Sequence, residues 1–205
     1  MIPAIALRPD HHLRIGLDGA IVAKAWLFRE VVCRRCINIL HSLVSSAECE
    51  ALRQFHDTLQ AAVAHVEPSM LAAARQALTP ADTVLVIECS GSEDVAPNID
   101  NAGAVGSSAR LEAEIVVVLT APSTLVLFEY LSREVDDRDG RNLLASFVSP
   151  SEYWALMATQ CHLEPGAFYA IDRDYPVQVN EAREWLCSSG GGDCEGIAPS
   201  GCEDR

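Results

Sequence analysis

The sequence predicts a single α+β domain, and three observations favour this class. Residues 4–25 alternate apolar and polar side chains as β-strands do, residues 26–78 carry apolar side chains at helical spacing, and residues 83–148 are richer in β-branched runs. A chain of 205 residues with 49% hydrophobic side chains can bury one sizeable core. We therefore expect an N-terminal β-meander, about three helices, and then a mainly antiparallel sheet with two further helices.

The N-terminal meander is predicted from alternation around a turn. Leu13 to Leu17 alternate, and Asp18-Gly19 is typical of a hairpin turn of type I′, which needs positive φ angles. Residues 20–25 would then form the next strand.

Three helices are predicted over residues 26–44, about 47–66 and 69–78. Ser45 and Glu48 have the spacing of a capping box, in which a hydroxyl and a carboxylate satisfy free amides at a helix start. Glu67-Pro68 ends the second helix, since proline has no amide hydrogen to donate.

Strands are predicted more often in the second part of the chain. Residues 83–89 and 111–120 are β-branched, and the apolar run from Ile115 to Leu119 indicates a strand buried on both faces. Residues 125–131 and 142–148 are predicted to form a hairpin, with a helix as the alternative for the first arm.

Two further helices are predicted near the C-terminus. One begins at Ser149-Pro150-Ser151-Glu152 and continues to about Gln160, and the other is capped by Asn180 and runs to Leu186. Short strands are predicted between them, at residues 168–171 and 177–179. We expect no internal repeat.

We expect residues 1–188 to form one domain, with a possible sub-boundary near 79–82. The small and polar residues 91–110 predict a long loop, which is functional or mobile. Residues 189–205 are rich in Gly, Ser, acids and Cys, a composition that predicts a flexible tail.

Charge and cysteine usage indicate the compartment and exclude some partners. The net charge is −14, with eight bases and seven acids in residues 1–80 but seven bases and 22 acids in residues 81–205. Without a basic footprint, nucleic-acid binding is not expected. The apolar stretch 115–128 is too short to span a membrane. With no secretion signal in the sequence, we expect the eight cysteines to be reduced and the protein to be cytoplasmic.

Cys33 and Cys36 form the one CxxC motif, which can bind a metal or form a redox pair because two thiolates lie close together. The chain contains no second CxxC, and the pair falls in the middle of a predicted helix. Two small core-facing residues are the alternative interpretation.

His56 and Asp57 are the candidate catalytic residues. The segment His56-Asp57-Thr58-Leu59, with Leu52-Arg53 upstream, resembles the phosphoacceptor box of one subfamily of two-component sensor histidine kinases. The resemblance implies that His56 accepts phosphate and that Asp57 acts as its general base. A histidine at the edge of a packed helix face is the alternative.

Other motifs with a known chemistry are missing from the sequence. It contains no phosphate-binding G-x-x-x-x-G-K-[ST] loop and no G-x-S-x-G nucleophile elbow. We therefore expect a non-catalytic accessory, regulatory or assembly protein without a cofactor, which binds another protein or a second copy of itself in a homo-oligomer. Phosphotransfer through His56, and thiol or metal chemistry at Cys33 and Cys36, are the alternatives.

Overall fold

The computed structural model describes residues 10–32, 45–79, 113–136, 140–168 and 174–189. These residues form two strands and six α-helices, so the coarse α+β class is confirmed, with far more helix than sheet. The strands are β1 (His11–Gly16) and β2 (Glu114–Leu119). The helices are α1 (Leu17–Leu27), α2 (Ser46–Ala62), α3 (Pro68–Leu78), α4 (Ala121–Leu131), α5 (Pro150–Phe168) and α6 (Tyr175–Ser189).

Helices α1 and α4 each continue directly into a short π-helical turn, Phe28–Val32 after α1 and Ser132–Asp136 after α4. A one-turn 3₁₀ helix, Leu144–Ser146, precedes α5. Helices α1 and α4 are buried on nearly every side, as expected for helices that are apolar all round. They form the centre of the molecule.

The outer helices pack around these two. Helix α1 packs against α3 and α5, and α4 packs against α2 and α6. In α1, the ammonium group of Lys24 is buried and donates to the carbonyl oxygen of Val63, the residue that ends α2. A cation at that position stabilises the negative end of the helix dipole.

The strands β1 and β2 pair antiparallel, with His11 opposite Leu119 and Ile15 opposite Ile115. Leu13, Ile15, Val117 and Leu119 face the core, whereas Val116 and Val118 are exposed on the outer face. The predicted burial of β2 on both faces is therefore wrong. Only one face of this small sheet is covered by helices.

Several local predictions are corrected. Asp18-Gly19 and residues 20–25 lie in α1 rather than in a hairpin, because an almost continuous apolar run suits a buried helix as well as a strand. Residues 125–131 are helical, which was the alternative. Residues 142–148 contain a turn and the one-turn 3₁₀ helix, so that hairpin is wrong too. Residues 177–179 and Asn180 lie inside α6, and Asn180 caps nothing.

Other predictions are confirmed or lie outside the described residues. Helices α2, α3 and α5 begin near the predicted residues, and Glu48 accepts the backbone N–H of Ser45 at 3.3 Å, as a capping box requires. The first predicted helix, residues 26–44, is not confirmed as an element of its own: residues 26–27 end a helix that begins at Leu17, residues 28–32 form a π turn, and the rest lies outside the described residues. The division into domain and tail stays a prediction. The predictions for residues 4–9, 33–44, 83–89, 91–110, 169–171 and 190–205 lie outside the described residues.

Most of the helical elements recur at a spacing of 104 residues, contrary to the expectation of no repeat. Helices α1 and α4 begin at 17 and 121, the π turns at 28 and 132, and α2 and α5 at 46 and 150. We call residues 10–79 the first half and residues 113–189 the second half.

Candidate functional site

Two clusters of arginine and glutamate side chains are built around buried carboxylates in the described residues. The Glu152 cluster contains Arg29, Glu30, Arg75 and Glu152. The Glu48 cluster contains Glu48, Arg133, Glu134 and Arg183. The sequence analysis singled out Glu48 and Glu152 only as helix-start residues and missed the arginines.

The carboxylate of Glu152 is the centre of the first cluster. It has no exposed surface, and it accepts from Arg29 at 2.9 and 3.2 Å and from Arg75 at 3.0 Å. The backbone N–H of Val148 donates to it at 2.9 Å. Arg29 also donates to Glu30 at 2.8 Å. Both oxygens of Glu152 are thus satisfied by charged or backbone donors.

The carboxylate of Glu48 is the centre of the second cluster. Arg133 donates to Glu48 at 2.8 Å and to Glu134 at 2.7 Å, and Arg183 lies 3.8 Å from Glu48. Asn142 donates to the other oxygen of Glu134 at 2.9 Å. The two clusters therefore use the same residue types in the same roles.

Three kinds of element position each cluster. The π turns carry Arg29 and Arg133, and the first turns of α2 and α5 carry Glu48 and Glu152. A carboxylate in the first turn is stabilised by the helix dipole and by free amides. Helices α3 and α6 supply the remaining arginines, Arg75 and Arg183.

The clusters are built to hold charge rather than to exchange protons. Desolvation disfavours the charged form of Arg133, but hydrogen bonds to Glu48 and Glu134 outweigh it and raise the pKa of Arg133 above its ordinary value. The pKa of Arg29 is raised in the same way, through Glu152 and Glu30. Arginines held in this state donate hydrogen bonds and do not act as acids near neutral pH.

His56 and Asp57, the candidate catalytic residues, are neighbours on α2. His56 Nδ1 lies 3.2 Å from Asp57 Oδ1, and Asp57 Oδ2 lies 3.5 Å from Arg53 Nη1. The His56 side chain is buried, with 5% of the residue exposed, and it stacks on Phe28 at a centroid distance of 6.0 Å. Its Nε2 atom is buried and has no hydrogen-bond partner. A phosphoryl donor would need to displace Phe28 or its neighbours to reach that nitrogen.

The second half lacks this arrangement. At the spacing of 104 residues, Gln160 and Cys161 stand in place of His56 and Asp57, and Ser132 stands in place of Phe28. The shared architecture therefore does not require a histidine at this point. His56 is a feature of the first half alone.

Cys33 and Cys36 lie outside the described residues. Within the described ranges, no group of three or more His, Cys, Asp or Glu side chains is arranged to hold a metal ion. In the same ranges, no helix is both long enough and apolar enough to cross a membrane.

Four exposed apolar side chains lie on two segments that are hydrogen-bonded to each other, the first π turn and the segment before α5. Arg29 holds these two segments together, because it donates to the carbonyl oxygen of Ser146 at 2.8 Å as well as to Glu152. Trp26 Nε1 donates to the Ser146 hydroxyl at 3.1 Å. The apolar rim, as we name this feature, comprises Phe28, Val32, Leu144 and Val148.

Comparison with family models, with curated proteins and with solved structures finds no match to this chain. The function is therefore argued from the chain's own surface and clusters.

Proposed function

We propose that the protein is a non-catalytic accessory, regulatory or assembly protein that binds another protein through the apolar rim. The observation that carries this proposal is the exposure of the rim side chains. Phe28 is 52% exposed and Val148 is 63% exposed, on two segments that Arg29 fixes to each other. Large apolar side chains grouped on a rigid surface are typical of a binding site.

The surroundings of the rim support recognition rather than chemistry. Glu152 pairs with both Arg29 and Arg75, and these ion pairs hold the rim segments in place. A rim on a preorganised scaffold loses little conformational entropy when a partner binds.

The charge of the chain favours a cationic partner. A net charge of −14 attracts basic segments during diffusional encounter and repels acidic ones. The partner that fits best is a protein segment with apolar side chains for the rim and basic side chains around them.

The test compares a rim variant with a matched control. Phe28→Ser combined with Val148→Ser removes apolar surface from the rim, and Val177→Ser removes an equally exposed valine from α6. Each protein is used to capture partners from the cells that produce it, and a captured partner is purified and titrated against all three by calorimetry.

The expected result is a stoichiometric complex with the wild type and with Val177→Ser, and binding at least about tenfold weaker for the double variant. Equal affinities for all three proteins would contradict the assignment of the rim. Failure to find any stoichiometric partner under these conditions would contradict the proposed function itself.

A further inference from the structure

The two halves share residues as well as element positions. At the spacing of 104 residues, identical side chains recur at the end of the central helices: Leu27, Arg29, Glu30 and Val31 match Leu131, Arg133, Glu134 and Val135. Ser45, Glu48, Ala51 and Leu52 match Ser149, Glu152, Ala155 and Leu156. In the last helices the spacing is 108, and Pro68, Ala74, Arg75 and Leu78 match Pro176, Ala182, Arg183 and Leu186.

The pairing of the strands shows how the halves are related. Leu13 pairs with Val117, which is its own equivalent 104 residues later. At the same spacing, His11 is equivalent to Ile115 and Ile15 is equivalent to Leu119. The pairs His11–Leu119 and Ile15–Ile115 are therefore equivalent to each other. This register is the one that a two-fold axis between Leu13 and Val117 requires. The interface between the halves is therefore of the isologous kind, in which the same surface is used twice.

Each half supplies the cations for the other half's buried carboxylate. Arg29 and Arg75 of the first half contact Glu152 of the second half. Arg133 and Arg183 of the second half lie beside Glu48 of the first half. A half without its counterpart would lose these partners, and a buried carboxylate without them is strongly destabilised.

The helices cross between the halves in the same reciprocal way. Helix α1 packs against α5, and α4 packs against α2. In addition, α2 contacts α6 and α3 contacts α5. The two halves are therefore joined by apolar packing and by two symmetric ionic clusters, as subunits of a homodimer are.

We propose that the chain is a fused dimer of one repeated unit, and that the surface between its halves also fits a second copy of this chain. In that assembly, the first half of one chain pairs with the second half of another, and both clusters form as they do within a single chain. Exchange of identical elements creates no new interface, so its cost in free energy is low. Residues 80–112 connect the halves in each chain.

The test uses two full-length chains with complementary charge changes. One chain carries Arg75→Glu, which puts three carboxylates against one arginine in the Glu152 cluster. The other carries Glu152→Arg, which puts three arginines against the single carboxylate of Glu30. In an exchanged dimer of the two, one Glu152 cluster is wild type and the other contains both substitutions, so each of these clusters again has two positive and two negative side chains.

The two chains are unfolded together in denaturant, refolded by dilution and analysed by native mass spectrometry. The expected product is a 1:1 heterodimer whose thermal midpoint exceeds that of either chain refolded alone. The control pair, Arg14→Glu and Glu114→Arg, inverts an exposed ion pair of 3.9 Å between the halves and is expected to yield no more heterodimer than wild-type chains do at the same concentration. Heterodimers of similar abundance in the control would show association by another surface and would overturn the proposal.

A second measurement needs no substitution and is independent of whether the charge variants fold. Wild-type chains with two different tags are unfolded together and refolded over a range of concentrations. Dimers that carry both tags, in a fraction that rises with concentration, are expected. Monomers alone at every concentration would overturn the proposal, and the apolar rim would still be tested separately by its own variants.

Discussion

At the scale of single residues, a substitution of Glu152, whose carboxylate is buried, is expected to lower the free energy of unfolding strongly. Glu152→Gln removes the negative charge that Arg29 and Arg75 share, and it leaves both cations partly buried. We expect the free energy of unfolding to fall by about 3 kcal/mol. Urea denaturation followed by circular dichroism measures the change, and Glu114→Gln on the exposed face of β2 serves as the control, with a loss below about 1 kcal/mol.

Lys24 predicts a stability that depends on pH. Desolvation by burial lowers the pKa of its ammonium group below the ordinary value of 10.5 in the folded state. The unfolded chain then binds more protons between the lowered pKa and 10.5, so the contribution of Lys24 to stability increases as the pH rises through that interval. Lys24→Met should remove this increase. Denaturation at a series of alkaline pH values tests the prediction, and an unchanged slope in the variant would contradict it.

The sequence predicted some of these residues without predicting their partners. Ser45 with Glu48 and Ser149 with Glu152 are local patterns, so both helix starts were found. The arginines that complete the clusters lie 77 to 135 residues away from their glutamates along the chain, and no local pattern connects such positions. The contact between His56 and Asp57 is local because they are adjacent in the sequence, but the stacking of Phe28 on His56 depends on tertiary packing.

At the scale of elements, two glycines should respond in opposite directions to alanine. Gly19 lies inside α1, where an added Cβ would have only an ordinary contact of 3.8 Å with Ile15, so Gly19→Ala should stabilise by about 0.5–1 kcal/mol. Gly140 has a φ of +67°, and an added Cβ would lie 2.9 Å from the ring of Tyr153. We expect Gly140→Ala to lower the thermal midpoint and Gly19→Ala to raise it. A shift of the same sign in both would contradict these assignments.

Two of the helices that the sequence predicted well, α2 and α3, are amphipathic, whereas α1 and α4, which it predicted poorly, are buried on nearly every side. Helix α2 has one apolar face, from Leu52 through Phe55 to Leu59, and its period identifies it as a helix. Helices α1 and α4 are central and apolar on every side, so no period distinguishes them from buried strands. Their burial arises from contacts with helices of both halves, which a local pattern does not contain.

At the scale of the whole molecule, reciprocal packing predicts that both halves unfold together. Leu52 and Leu156 are equivalent, and each is almost fully buried, one in each half. Either residue changed to Ala should lower the stability by about 2–5 kcal/mol within a single cooperative transition. Far-ultraviolet circular dichroism and tryptophan fluorescence should report the same midpoint. Two separated transitions in either variant would show that the halves are independent.

The repeat was missed in the sequence because its signal is confined to a few positions. The segments Leu27 to Val31 and Leu131 to Val135 agree at four of five residues, but the surfaces around them have diverged in charge and in size. The match becomes evident once both segments are seen at the ends of equivalent helices. A symmetry of this kind is therefore easier to detect in the tertiary structure than in the sequence.

The burial of Lys24 also has a practical consequence for chemical labelling. Lys24 is the only lysine in the chain, and its ammonium group is enclosed between α1 and the end of α2. An amine-acylating reagent should therefore leave the side chain of Lys24 nearly untouched in the native protein, and modification of Lys24 should proceed only through open conformations. The acylation rate at that one residue, read by peptide mass spectrometry, would then measure how often the molecule opens.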